Sequence, residues 1–197
     1  MMPAIIKESS RGIDRIEIED ELFMKGKIFL TGAVDHASMD SLIKQLLYLN
    51  ETDPDQEITI YINSPGGEVS SGLAAYDLMN LIDNPITTFC IGEAASMAAI
   101  LFLAGEKRIM LPDSTLMIHD PAPGGGSLQG MKPNEMEERL DELKKTRDRL
   151  CSIIAEITGK SIQEILAKTC KDSYFSAKEA YEFNLANVIA ERKEKNE

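Results

Sequence analysis

The chain has 197 residues, of which 43% are hydrophobic and 27% are charged. This length fits one domain over residues 1–197, and the composition excludes an intrinsically disordered chain. The net charge of −12 and the pI near 4.7 argue against nucleic acid or an anionic membrane as partner, because both would repel the chain at long range.

Cysteine usage and apolar runs indicate the cellular setting. The three cysteines, Cys90, Cys151 and Cys170, are odd in number and have no metal-ligand spacing, so we expect neither a disulfide framework nor a zinc site. The opening MMPAIIKESSRG lacks the apolar core of a secretory signal. The longest uncharged apolar run, Ala94 to Gly105, is shorter than the roughly 20 residues that span a bilayer. We expect a cytoplasmic protein without a membrane segment.

From Lys27 onwards, strand and helix patterns alternate along the chain. The predicted strand–helix pairs are KIFLTGAV with DHASMDSLIKQLLYLN, EITIYIN with EVSSGLAAYDLMNLI after a turn at SPGG, and ITTFCIGE with SMAAILFLAG. Two further short strands, KRIMLP and STLMIHD, follow. This alternation predicts an α/β fold with a largely parallel sheet.

The pattern changes to one long helix after the glycine-rich stretch PAPGGGSLQG. Pro133 suits a first helical turn and Gly159 suits a C-terminal cap, so we predict a helix from about Pro133 to Thr158. Its apolar stripe comprises Met136, Leu140, Leu143, Leu150, Ile154 and Ile157. The helix is longer than a small core is wide, so we expect part of it to project towards another subunit.

Two capping boxes predict two short helices after the long one. Ser161 precedes Glu164 by three residues, and Ser176 precedes Glu179 in the same way. The charged tail ERKEKNE is expected to be a frayed end.

Ser96 is the one hydroxyl in the long apolar run. Serine is a common helix cap, but it becomes a nucleophile where a histidine removes its proton. The chain has two histidines. His36 lies near a helix start, where we expect a solvated side chain, whereas His119 ends the strand STLMIHD, at the sheet edge where site residues collect. His119 is therefore the predicted base.

Spacing leaves open which carboxylate orients this histidine. Asp120 is adjacent to His119 and on a strand would point to the opposite face. Asp113 stays possible, and Asp172 stands just before a capped helix, where it fits an inward-facing carboxylate or a loop-surface acid equally well.

Backbone N–H groups near two helix starts are candidate oxyanion donors. Gly66 and Gly67 lie between a strand and a helix N-terminus and have no side chain to block a substrate. The N–H of Met97, directly after Ser96, is the second candidate.

Three stretches together give a specific resemblance over nearly the whole chain. YINSPGGEVSSGLAAYD, CIGEAASMAAILFLAG and RIMLPDSTLMIHDP resemble the proteolytic subunits of the ATP-dependent Clp protease family, in the same order and without large gaps. The resemblance implies that Ser96 is the nucleophile, His119 the base and Asp172 the orienting residue. It also implies that the N–H groups of Gly67 and Met97 form the oxyanion hole of a serine endopeptidase.

The resemblance further implies the ClpP/crotonase fold, an α/β fold of repeated strand–strand–helix units with a long projecting handle helix. It divides the single domain into an N-terminal axial segment at residues 1–26 and a handle region at about 120–158. Two stacked heptameric rings of identical subunits would enclose a chamber, and GGGSLQG would pair with the peptide substrate as an added strand.

The implied partner is a hexameric AAA+ unfoldase of the ClpX, ClpA or ClpC type, which feeds unfolded polypeptides into the chamber. That partner consumes the ATP, so the chain itself is expected to need no cofactor and no metal. Docking would use the apolar side chains of Leu47, Tyr61 and Phe89, which read equally well as ordinary packing residues.

The chain departs from the family pattern at several positions. Ala99 and Asn184 stand where glycine is common, and Asn tolerates the left-handed conformation of a helix cap. Cys170 and Lys171 replace a usual acidic residue and arginine before Asp172, which removes the basis for a ring-to-ring ion-pair network.

Two other functions compete with an active peptidase. One is a non-catalytic subunit that packs in a mixed ring beside an active paralogue. The presence of intact Ser96, His119 and Asp172 argues against this function. The other is a crotonase-type acyl-CoA enzyme, which would rely on oxyanion N–H groups and carboxylates instead of a serine and histidine pair.

Overall fold

The computed structural model describes residues 4–9, 12–122 and 130–192, where seven helices and nine strands form an α/β fold. The strands are β1 (Ala4–Ser9), β2 (Gly12–Glu17), β3 (Lys27–Val34), β4 (Ile58–Gly67), β5 (Ile86–Ala95), β6 (Lys107–Met110), β7 (Thr115–Ile118), β8 (Ser173–Ser176) and β9 (Val188–Ile189). The helices are α1 (Ile18–Phe23), α2 (His36–Thr52), α3 (Val69–Met79), α4 (Met97–Leu103), α5 (Pro133–Thr158), α6 (Ile162–Thr169) and α7 (Ala177–Glu182).

The central sheet confirms the predicted parallel α/β architecture. Its strands run in the order β3-β4-β5-β6-β9, all parallel, with β7 parallel to the far end of β5 and β8 antiparallel to β7. A helix follows each of β3, β4 and β5, whereas β1 and β2 precede α1 together and β6 and β7 precede α5 together. Ile28, Ile60 and Cys90 are buried along the sheet, as parallel strands covered by helices require.

Helix α4 lies at the centre of the molecule. All seven of its residues are buried, and it packs against α3, α5 and the sheet strands β4 and β5. A helix that is apolar on every side is stable only inside a core. The residue directly before it, Ser96, is therefore held by the best-packed part of the fold.

The SPGG segment is not the turn that its composition predicts. Strand β4 continues through Gly67, because Ala33 pairs with Gly66 and Val34 with Gly67 on β3. Gly66 and Gly67 have φ values of 85° and 153°, which glycine adopts without steric cost. The chain keeps its hydrogen bonds to β3 while bending, so pairing with a neighbouring strand outweighs the local turn preference.

The long helix has the predicted bounds, Pro133–Thr158. Gly159 closes it in the left-handed conformation with φ 71°, and the Gly159 N–H donates to Ala155 O. The C-terminal half is buried at Leu150, Cys151 and Ile154, whereas Met136 and Leu140 in the N-terminal half are 37% and 52% exposed. The predicted apolar stripe is thus packed in one half of α5 and exposed in the other.

The two predicted capping boxes are also present. The Glu164 N–H donates to Ser161 Oγ over 3.3 Å, and the Glu179 N–H donates to Ser176 Oγ over 3.4 Å, at the starts of α6 and α7. Asn184 has φ 66°, the left-handed conformation expected of it after α7. Its side-chain amide donates to Thr158 O over 3.1 Å and so joins α7 to the end of α5.

The structure adds elements at the N-terminus and leaves two predicted segments untested. Strands β1 and β2 form an antiparallel hairpin that the sequence pattern did not reveal. Apart from Gly130, the GGGSLQG segment lies outside the described residues, and so do residues 193–197 of the tail. Over the described ranges, no helix is both long and apolar enough to cross a bilayer.

Substituting the cap glycine tests this account of how α5 ends. We expect Gly159→Ala to lower the free energy of unfolding by about 1–2 kcal/mol, because alanine is strained at positive φ. The added Cβ meets no atom within 4 Å, so no steric clash contributes. Gly159→Asn should lose less, since asparagine tolerates this conformation. Denaturant unfolding measures both, and equal stability of Gly159→Ala and the parent would contradict the account.

Candidate active site

Ser96 stands at a sharp turn between β5 and α4. Its backbone has φ 55° and ψ −122°, a conformation that residues with a side chain rarely adopt. The Ser96 N–H donates to Met117 O over 2.8 Å, so β7 holds the turn in place. Strain of this kind persists only where the surroundings enforce it, and it commonly marks a functional position.

His119 follows directly after β7, the strand that pairs with the end of β5. Ala95 is in register with Met117, so the residues that follow on the two chains come together. His119 Nε2 lies 2.8 Å from Ser96 Oγ, within hydrogen-bond distance. If the serine donates this bond, Nδ1 carries the histidine's own proton, which is the tautomer that a general base needs. The sheet therefore brings the two predicted residues into contact.

Asp172 lies near the other ring nitrogen but does not hydrogen-bond to it. Its Oδ1 is 3.9 Å from His119 Nδ1, and its side chain is 63% exposed. Strand β8 places it there, because Ser173 pairs with Ile118, the neighbour of His119. The carboxylate is near enough to attract an imidazolium but too far to accept a hydrogen bond.

Neither of the other two candidate aspartates forms an ion pair with His119 in the described part of the chain. Asp113 is exposed and forms an ion pair with Arg192. The Asp120 N–H donates to Thr169 O over 2.7 Å, and Asp120 lines the pocket beside Ser96 and His119 without forming an ion pair with the imidazole. Within the described residues, Asp172 is the only acid whose carboxylate comes within 4 Å of a ring nitrogen of His119.

The end of β4 packs directly against the Ser96 turn. A Cβ on Gly66 would lie 2.7 Å from Ser96 Cβ and 2.8 Å from the Met97 nitrogen, so only glycine fits there. A Cβ on Gly67 would collide with Val34 O. The two predicted donor segments, SPGG and the start of α4, therefore meet beside the serine hydroxyl.

An apolar pocket opens next to the serine and histidine. Its walls include Met97, Ile100, Ile118, Leu150, Cys151 and Ile154. The last three come from the buried half of α5, so that helix half shapes the site, which the sequence pattern did not indicate. Burial raises the pKa of the Cys151 thiol, whose Sγ lies 3.6 Å from Thr169 Oγ1, so the thiol stays neutral. Asp120, Arg147 and Thr169 add polar groups to these apolar walls.

The three predicted docking residues lie on β4, β5 and α2. The rings of Tyr61 and Phe89 stack with centroids 5.5 Å apart, and Leu47 is 41% exposed on α2. Phe29, which the sequence pattern did not single out, stacks on Tyr61 at 5.0 Å and is 46% exposed. An aromatic row thus crosses three neighbouring strands.

The second histidine, His36, is exposed as expected, but it is not isolated. Its Nδ1 lies 3.2 Å from Ser71 Oγ, which a single-sequence pattern does not reveal because the two residues are 35 positions apart. As for metal binding, the described ranges contain no group of three or more His, Cys, Asp and Glu side chains arranged to hold an ion.

The chain matches a known protein family over almost its whole length. The family model described as Clp protease matches residues 10–193. The matched range includes Ser96, His119, Asp172 and both glycines of the SPGG segment.

Two substitutions of the serine test the strain at position 96. Neither Ser96→Ala nor Ser96→Gly keeps the hydroxyl, so the difference between their free energies of unfolding reports the strain of the backbone. We expect Ser96→Gly to be the more stable by about 1 kcal/mol, because glycine adopts positive φ freely. Ser152, exposed inside α5, is the control: there glycine should be less stable than alanine by about 1 kcal/mol. Denaturant unfolding of the four variants measures these differences in stability. If glycine and alanine rank in the same order at both positions, the backbone at position 96 is not strained.

Proposed function

The chain belongs to the Clp protease family, and we propose that it is a serine endopeptidase that cuts unfolded polypeptides inside a closed compartment. Family membership makes it a peptidase. The observation that carries the serine mechanism is the 2.8 Å contact between Ser96 Oγ and His119 Nε2 at a strained strand–helix turn. Asp172 is the proposed orienting residue.

The proposed reaction starts with attack of Ser96 Oγ on the peptide carbonyl carbon. His119 takes the hydroxyl proton and then gives it to the leaving amine, which leaves an acyl-enzyme that water hydrolyses by the reverse sequence. The Gly67 and Met97 N–H groups would donate to the oxyanion, where loss of one donor typically costs about 3 kcal/mol of the barrier. These steps need neither a metal nor a cofactor from this chain.

Asp172 must move for the histidine to be fully oriented. A shift of about 1 Å would bring its carboxylate from 3.9 Å to hydrogen-bond distance from His119 Nδ1. Its exposure and its place just before β8 leave it free to make that shift. We infer a resting arrangement in which the nucleophile and base are aligned and the acid is slightly withdrawn.

The exposed half of α5 supports a ring assembly. Met136 and Leu140 leave apolar surface on a helix whose other half is anchored in the core. Clp protease family members usually form oligomeric rings with AAA+ ATPases. We propose that α5 is the handle that joins two heptameric rings of this chain, which would place Ser96 inside the resulting chamber.

The aromatic row supports a docking site for the partner ATPase. Phe29, Tyr61 and Phe89 stack across the strands at the edge where Phe29 is exposed, and aromatic side chains are common anchors of protein interfaces. Leu47 would extend this surface. We propose that a hexameric AAA+ unfoldase docks here and delivers substrate.

A non-catalytic subunit of a mixed ring is the second candidate. The 3.9 Å gap between Asp172 and His119 is the observation in its favour. The Ser96–His119 contact opposes it, because a subunit without chemistry has no need for a strained serine beside a histidine.

Labelling with a fluorophosphonate probe separates the two candidates. We expect the parent to be labelled at Ser96 and to cleave a fluorogenic peptide, and Ser96→Ala to lose both properties. Asp172→Asn should lower kcat by at least about 100-fold, because the amide no longer stabilises the correct histidine tautomer. Asp113→Asn is the matched control and should keep the parental kcat. An assembled ring without label or cleavage would establish the non-catalytic subunit.

Removing one ring of the aromatic row tests the docking surface. We expect Tyr61→Ala to abolish degradation driven by the partner unfoldase and to keep cleavage of short peptides, which reach the site unaided. Tyr181→Ala, which removes a 50% exposed tyrosine from α7, is the control and should leave both activities intact. Equal degradation by Tyr61→Ala and the parent would exclude this surface as the docking site.

A further inference from the structure

The Gly67 segment has a paired strand on one side only. Strand β4 pairs with β5 up to Ser64, and its register with both neighbours shifts near this end. Beyond that point Gly66 and Gly67 pair with Ala33 and Val34 at the end of β3, and the Glu68 N–H donates to Val34 O over 2.7 Å. The position of the Gly67 N–H therefore depends on the junctions between β3 and α2 and between β4 and α3.

A series of hydrogen bonds between three side chains joins these two junctions. His36, the first residue of α2, has its Nδ1 3.2 Å from Ser71 Oγ in the first turn of α3. Ser71 Oγ donates to Glu68 Oε2 over 2.8 Å, and Glu68 directly follows Gly67. Ser71 is 8% exposed, so its hydroxyl has little access to water as an alternative partner.

The donor and acceptor of each hydrogen bond in this series can be assigned from its geometry. Hydrogen bonds from Ser71 and Ser70 lower the pKa of Glu68, so its side chain is an ionised carboxylate that only accepts. Ser71 gives its single hydroxyl proton to that carboxylate. Its oxygen is then left to accept, and His36 Nδ1 must carry the hydrogen that it receives. The direction of donation runs from His36 through Ser71 to Glu68.

The Glu68 carboxylate is bound by serine hydroxyls and not by the backbone of α3. It occupies the N-cap position of α3, yet its side chain makes no capping hydrogen bond to the helix backbone. The carboxylate is instead held by the hydroxyls of Ser70 and Ser71. Because Ser71 also bonds to α2, movement of Glu68, and of Gly67 before it, is coupled to α2.

We propose that His36 is a positioning residue that, through Ser71 and Glu68, holds the Gly67 N–H at the oxyanion position. This rests on the proposed serine peptidase function. His36 touches no reacting atom: it lies on the outer side of the β4–α3 junction, in a recess with Met39, Asp40 and Ile43. A looser junction would weaken donation to the oxyanion more than binding of the substrate, because the oxyanion forms only in the transition state.

Kinetics of four variants test the proposal. His36→Ala and Ser71→Ala should lower kcat about tenfold, less than the hundredfold or greater loss from deleting an oxyanion donor, with KM unchanged. Their affinity for a peptide boronate, whose tetrahedral adduct places an oxygen at the oxyanion position, should fall by a similar factor. His36→Asn, whose side-chain amide can replace the Nδ1 donor, should restore parental values. Ser41→Ala, which removes an exposed hydroxyl of α2 that accepts from Gln45, is the matched control and should behave as the parent.

Hydrogen exchange provides a readout that is independent of activity. We expect faster amide exchange at residues 64–68 in His36→Ala, with parental exchange in His36→Asn and an unchanged melting temperature and oligomeric state. Parental kcat, boronate affinity and exchange in His36→Ala would overturn the proposal, as would a failure of His36→Asn to restore them. If exchange at residues 64–68 is faster in His36→Ala and parental in His36→Asn, but the parent neither cleaves peptide nor binds the boronate, the proposed function is refuted. The His36 link to the Gly67 segment is then still supported.

Discussion

The contact between Ser96 Oγ and His119 Nε2 is the central interaction of this structure, and the surrounding strands and helix hold it in place. Its 2.8 Å length follows from two adjacent parallel strands, since β5 ends directly before the serine and β7 ends directly before the histidine. The Ser96 N–H to Met117 O hydrogen bond locks the two strand ends together. Helix α4 is buried on all sides and cannot rotate without disrupting the core. The serine is thus fixed by packing and keeps a backbone conformation that an exposed loop would not maintain.

The remaining parts of the site are held less firmly. Asp172 is largely exposed and precedes a short edge strand, and the Gly67 segment has a paired strand on one side only. In the proposed mechanism, the site therefore combines a rigid nucleophile and base with an acid and an oxyanion strand that small movements can align or misalign. In a ring assembly such movements are open to control by neighbouring subunits through α5, whose buried half also forms one wall of the apolar pocket.

Local signals in the sequence predicted much of this fold. Pro133 and Gly159 marked the ends of α5, and the Ser161–Glu164 and Ser176–Glu179 boxes marked the starts of α6 and α7, because caps are encoded within a few residues. Ser96 stood out as the lone hydroxyl of an apolar run and His119 as the histidine at a strand end, and the structure brings the two side chains together. These features need no information about distant parts of the chain.

Features that depend on distant contacts were missed or left open. The SPGG segment reads as a turn by composition, and only pairing with β3 makes it a strand. Spacing did not choose among Asp113, Asp120 and Asp172, since that choice depends on how β8 pairs with β7. The His36–Ser71 contact joins residues far apart in sequence, so no local sequence pattern predicts it.

A crystal structure of the assembled protein with a peptide boronate tests the central claim most directly. The account predicts a covalent bond from boron to Ser96 Oγ, one boronate oxygen accepting hydrogen bonds from the Gly67 and Met97 N–H groups, and His119 between the adduct and Asp172. Boron bound to another side chain, or a fully occupied pocket with Ser96 unmodified and His119 turned away from it, would contradict the account.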